Sequence, residues 1–163
     1  MSEHRFSIKL REVLVTGKIM SRIVHVDSPT KIRNRHMRSI AEMLRQLMQK
    51  PKMDAEARDM ASMITLLLWE IADGVEQSAR AWEKRDYWMK AERFMRDWKW
   101  TAEIAANLED VIRNEAWDLV PELMAELYPN FTGIQIKTMT RKASLWQGAH
   151  KKLLSDPPRE YPW

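Results

Sequence analysis

The sequence predicts an all-α protein, a helical bundle of about five helices with a short N-terminal hairpin or extended arm. Three observations predict it. Beyond Ser28, apolar residues recur at steps of three and four over most of the chain, the period of an amphipathic helix. Only 4 Gly interrupt the 163 residues, and prolines and cap residues fall where the periodic stretches end. The longest uncharged runs, Met60 to Trp69 and Leu127 to Ile136, are ten residues each. A bilayer span needs roughly 20 apolar residues, so both runs read as buried faces and no membrane partner is expected.

Residues 5–26 carry two readings. Phe6, Ile8 and Leu10 alternate with polar residues and Thr16–Gly17 suits a turn, which makes a hairpin. The spacing of Leu10, Val13, Leu14, Met20 and Val24 also permits a helix. Residues 1–27 are therefore an arm or hairpin that precedes a helical domain over 28–154. Ser28 followed by Pro29 is an N-cap with proline in the first turn, where its missing N–H costs nothing. Ile32, His36, Ile40, Met43, Leu44 and Leu47 continue that helix, which must stop before Pro51. Asp54 caps a second helix with the stripe Met60, Ile64, Leu67, Ile71, Val75, Ser78 and Trp82.

The same period runs on to Ile112. One helix over 54–115 would be about 93 Å long at 1.5 Å per residue. A domain of this size has a radius of gyration of about 15 Å, so the helix must break. The break is expected around Glu83–Asp86, with Gly74 as the other hinge candidate. Asp118 is expected to cap a short helix ending before Pro129, with Pro121 in its first turn. Thr132-Gly133-Ile134-Gln135 has the capping-box pattern and is expected to open a last helix through Trp146 to Leu154. Asp156-Pro157-Pro158 ends it, leaving 155–163 as a flexible tail.

Composition bounds the chemistry. With 45% hydrophobic and 31% charged residues, the chain has enough apolar content to fold. The absence of Cys excludes disulfides, thiolate metal sites and a cysteine nucleophile, and fits a cytoplasmic protein. The net charge of +4 is segregated: 1–52 hold 12 Lys/Arg against 4 Asp/Glu, 53–130 hold 9 against 17, and 131–163 hold 6 against 2. Either a basic face meets a polyanion, or basic and acidic segments neutralise each other inside the bundle.

Two surfaces follow as binding candidates. Trp88, Ala91, Met95, Trp98 and Ala102 share one face of the third helix, and Trp100 extends its apolar arc to another side. A monomer's surface helix has an apolar arc of about 100°, and this one is wider. Trp88, Met95, Trp98 and Trp100 are therefore the expected interaction surface of a homo-oligomer. Stacking of bases on these rings is the sharper alternative. Lys31, Arg35, Arg38 and Arg45 form the candidate phosphate-binding row for nucleic acid.

Catalytic motifs are sparse. His4, His25, His36 and His150 form no ExxH or HExxH step, and no Gly-rich phosphate loop or nucleophile elbow is present. Glu70 and Asp73 make an ExxD step that could hold Mg²⁺ through oxygen ligands, the one metal candidate. That step resembles the one in helical pyrophosphohydrolases of the MazG type, where an EExxE helix precedes it. The preceding helix here carries Glu42 alone, so half of that ligand set is missing. No catalytic residue and no cofactor is assigned. The leading expectation is a non-catalytic interaction or scaffold protein that self-associates through Trp/Met-rich helical surfaces. A nucleic-acid-associated bundle and a carboxylate-metal nucleotide pyrophosphohydrolase are the alternatives.

Overall fold

The structure, a computed structural model, describes residues 26–160 and is all-α. Five α-helices are present among the described residues: α1 (Pro29–Met48), α2 (Ala55–Glu83), α3 (Trp88–Arg113), α4 (Val120–Leu127) and α5 (Ala149–Ser155). Short 3₁₀ turns stand at Trp117–Leu119, Tyr128–Phe131 and Ala143–Leu145. The hairpin expected over 5–26 lies outside the described residues, apart from Val26. No helix is long and apolar enough to cross a membrane among the described residues.

The first two helices start where their caps predict. The Ser28 hydroxyl accepts the N–H of Lys31 at 3.2 Å, and the Asp54 carboxylate accepts that of Ala57 at 2.8 Å. The long periodic stretch breaks at Glu83 and not at Gly74, which sits inside unbroken helix. Asp86, at φ 63°, takes the left-handed conformation that ends a helix, and the Tyr87 N–H returns 2.9 Å to the Trp82 carbonyl. The α3 terminus repeats the device: Glu115 has φ 54° and the Ala116 N–H reaches the Val111 carbonyl at 2.9 Å. Two long helices thereby fold back as neighbours. Alanines at 57, 61, 72, 91, 102 and 105 are all fully buried, letting these backbones approach. Ile40, Met43, Leu68, Trp69, Leu108 and Ile112 fill the core between them.

Two expectations are corrected in the C-terminal third. Asp118 makes no side-chain cap; the chain enters α4 through the 3₁₀ turn Trp117–Leu119, with Pro121 in the first turn as predicted. The helix expected from Thr132 does not form, and 132–142 carry no regular structure. Its backbone is captured by α1 instead. Arg38 donates to the carbonyls of Gln135 at 3.1 Å and Thr138 at 2.9 Å, and Arg45 donates to that of Ile136 at 2.9 Å. Within the expected tail, Asp156 and Arg159 bond to α3. Arg113 donates to the carbonyls of Leu153 and Asp156, and the Arg159 N–H donates to Glu109.

Glu42 is the centre of this capture. Its side chain is completely buried. One carboxylate oxygen accepts the N–H groups of Thr140 at 2.6 Å and Arg141 at 2.9 Å. The other accepts Arg38 Nε at 2.8 Å and the Thr140 hydroxyl at 2.7 Å. Burial pushes the Glu42 carboxyl up, but these bonds to its charged form outweigh burial and bring it down to about 2. The next clamp is Asp59 of α2, which accepts the N–H groups of Gly148 at 3.2 Å and His150 at 3.0 Å and so caps α5 from another helix.

Because Glu42 has a lowered folded pKa, its contribution is complete above the ordinary glutamate value of 4.5 and is lost as pH falls through about 2. That contribution is on the order of 3 kcal/mol. Urea titrations should therefore show stability falling across this window in the wild type, and falling less in Glu42→Gln. At neutral pH Glu42→Gln should be less stable by on the order of 3 kcal/mol, since it leaves Arg38 without its buried partner. Glu115→Gly should instead raise stability, by up to about 1 kcal/mol, because glycine adopts positive φ without strain.

Candidate functional site

One cleft lies between α1 and α2. The spacing of Pro29, Ile32, Arg33 and His36 puts them on one side of α1, and Glu70, Ile71, Gly74, Gln77, Ser78 and Ala81 share one side of α2. Together with Asp73 they line a groove of about 380 Å³. That size suits a small molecule. Its base is apolar and its rims are charged.

Each acid on the α2 rim is bonded to a side chain from elsewhere in the fold. His36 Nε2 lies 2.9 Å from Glu70 Oε2. The hydrogen bond from His36 lowers the Glu70 carboxyl, against burial and with help from the charges of His36 and Lys152. Asp73 accepts both Nη groups of Arg159, at 2.6 and 3.0 Å, in a bidentate pair. That hydrogen bond raises the Arg159 guanidinium against burial. The same guanidinium lies 4.5 Å over the ring of buried Trp69.

Arg33 is held differently. It lies over two neighbouring rings of α3, 5.0 Å from Phe94 and 5.1 Å from Trp98. These rings belong to an aromatic ladder that runs from Trp82 through Phe94, Trp98 and Trp100 to Phe131. Its end contacts are edge-to-face, at 4.8 and 5.8 Å between centroids.

The predicted site residues are distributed among several places. Glu70 and Asp73 share the groove but are bonded to His36 and Arg159. Among the described residues no three His, Asp or Glu side chains are grouped where they could hold a metal ion. Glu42, the remaining acidic residue of the ExxD resemblance, is enclosed by the 135–141 segment. The four candidate phosphate-binding residues do not present one open row. Arg38 and Arg45 are bonded to backbone carbonyls, while Lys31 and Arg35 both meet Asp27. The aromatic candidates divide: Trp98 and Trp100 stack on each other at 5.9 Å and are half-buried, whereas Trp88 is 59% exposed. Met95 joins Trp88 in a second, wider groove with Glu76, Arg80, Glu83 and Lys84.

Sequence reasoning counts Arg33 in the basic stretch with Lys31, Arg35, Arg38 and Arg45 but not in the phosphate-binding row, and it does not single out Gly74 or Arg159 as site residues. A signal existed for Arg33: it follows Pro29 by four residues and precedes His36 by three, so it falls on the inward stripe and not with Lys31 and Arg35. Arg159 carried none, because only folding brings residue 159 to residue 73.

No protein-family model matches the chain significantly, and neither does any curated protein or solved structure.

Glu70 is a rim carboxylate with a 57% exposed side chain. Glu70→Gln keeps an acceptor for His36 and should change stability by less than about 1 kcal/mol, as for other exposed pairs. Thermal denaturation checks this, and Mg²⁺ titration by calorimetry should give no binding heat with either protein.

Proposed function

We propose that this chain is a non-catalytic helical interaction protein that self-associates through the corner where α2 turns into α3. One observation carries the reading. Tyr87, Trp88 and Met89 are consecutive and exposed by 54%, 59% and 78%, at a helix start where side chains of this size usually find cover. Aromatic residues and Met are the types enriched in protein interfaces. The adjoining groove carries Glu76, Glu83, Arg80 and Lys84, with Glu76 bonded to Arg80. Such a mixed patch is self-complementary, as a two-fold contact between identical copies requires. The Trp98–Trp100 part of the predicted surface is occupied by ring contacts within the chain, so the proposal narrows to Trp88 and Met95 with their neighbours. The absence of Cys fits action in the cytoplasm.

The nucleic-acid alternative has less support, because Arg38 and Arg45 already donate to carbonyls of the chain. The pyrophosphohydrolase alternative would need more carboxylates than the two on the α2 rim.

Sedimentation velocity tests the proposal. At tens of micromolar the protein should run as a dimer or larger assembly, with an interface above about 1,000 Å². Trp88→Glu should sediment as a monomer with an unchanged melting temperature, since Trp88 supports no core contact. A wild-type protein that sediments as a single chain throughout would overturn the proposal.

A further inference from the structure

The groove between α1 and α2 has two features that the fold itself does not use. The first is Arg33. Its guanidinium is fixed against Phe94 and Trp98, yet it has no hydrogen bond or carboxylate partner among the described residues. This contrasts with Arg38, Arg45, Arg113, Arg141 and Arg159, all of which donate to oxygen atoms. An immobilised guanidinium presents its donors in a rigid fork that matches a carboxylate. Burial pushes it down from the ordinary arginine range, the direction expected of a cation that lacks an anion.

The second feature is Gly74. Glycine in mid-helix is less favourable than alanine and is usually explained by close packing. Here a Cβ at residue 74 would meet nothing within 4 Å. The space it leaves open is the groove, beside Ile32 and Ile71. The glycine keeps an apolar trough clear next to an unpaired cation.

We infer that the groove binds a small monocarboxylate with an apolar aryl or alkyl body, its carboxylate on Arg33 and its body over Ile32, Ile71 and Gly74. Charge selects the class. Glu70 and Asp73 stand on the facing rim, hydrogen-bonded to His36 and paired with Arg159, and two carboxylates there disfavour a second negative charge, so a monoanion on Arg33 is preferred to a dianion such as a phosphate monoester. The site is independent of the Trp88 corner.

Phenylbutyrate serves as the probe, with its neutral amide and phenyl phosphate as controls. Equilibrium dialysis measures affinity, and the indole fluorescence of Trp98 beside Arg33 reports occupancy. The carboxylate should bind in preference to both controls. Arg33→Met, which retains an apolar side chain against the two rings, should weaken it by at least about tenfold, the loss for one charged hydrogen-bonded contact. Gly74→Leu should abolish binding by filling the trough, while circular dichroism shows an intact helical protein. Should that variant misfold, Gly74→Ala gives a milder block on a better helix former, and a partial loss is then expected. Equal binding of acid and amide, tighter binding of phenyl phosphate, unchanged affinity in Arg33→Met, or no binding of the acid would each overturn the inference.

Discussion

A carboxylate buried without solvent is the constraint on which the C-terminal third depends. Glu42 is completely enclosed and must meet its acceptor capacity from protein donors alone. Two backbone N–H groups, one hydroxyl and one guanidinium meet it, and three of those four come from Thr140 and Arg141. A segment that supplies those donors cannot also place its N–H groups in a helix. The irregular path of 132–142 follows, and with it the carbonyls that engage Arg38 and Arg45.

The same capture determines how the basic half of the chain is used. Charge counting offers two fates for the Lys/Arg excess of 1–52: a polyanion or the acidic helices. Most of the α1 arginines take a third. They bond to carbonyl oxygens and to the few acids of their own segment, Asp27 and Glu42. Two α2 acids take partners from elsewhere: Glu70 bonds to His36, and Asp73 pairs with Arg159. Arg159 arrives because Asp59 and Arg113 fasten the two ends of α5 against α2 and α3. One residue of α1 is left out of these exchanges, Arg33, and it borders the groove.

The tryptophans of α3 are divided by the same packing. A ladder of rings joins α3 to the end of α2 and to Phe131, and Arg33 closes over its middle. The apolar arc is wide because it meets α2 on one side and the Phe131 turn on another. Trp88 stands outside the ladder, at the turn into α3, and is 59% exposed beside the end of α2. An oligomer surface therefore shrinks from a helix face to a corner.

Local physics determined much of this protein from sequence alone. Ser28, Pro29, Asp54 and the break near Glu83–Asp86 were legible because caps, prolines and helix period act within a few residues. The length argument against one long helix needed only geometry. What the sequence could not disclose depends on partners distant along the chain. The capping-box pattern at Thr132 is a local preference, and it lost to Glu42, about a hundred residues away. The carboxylate that captured this segment gave no local sign. The groove is a product of the same distant pairing: α1 and α2 supply its walls by period, but tertiary packing alone bonded Glu70 to His36 and Asp73 to Arg159 and left Arg33 without an anion among the described residues.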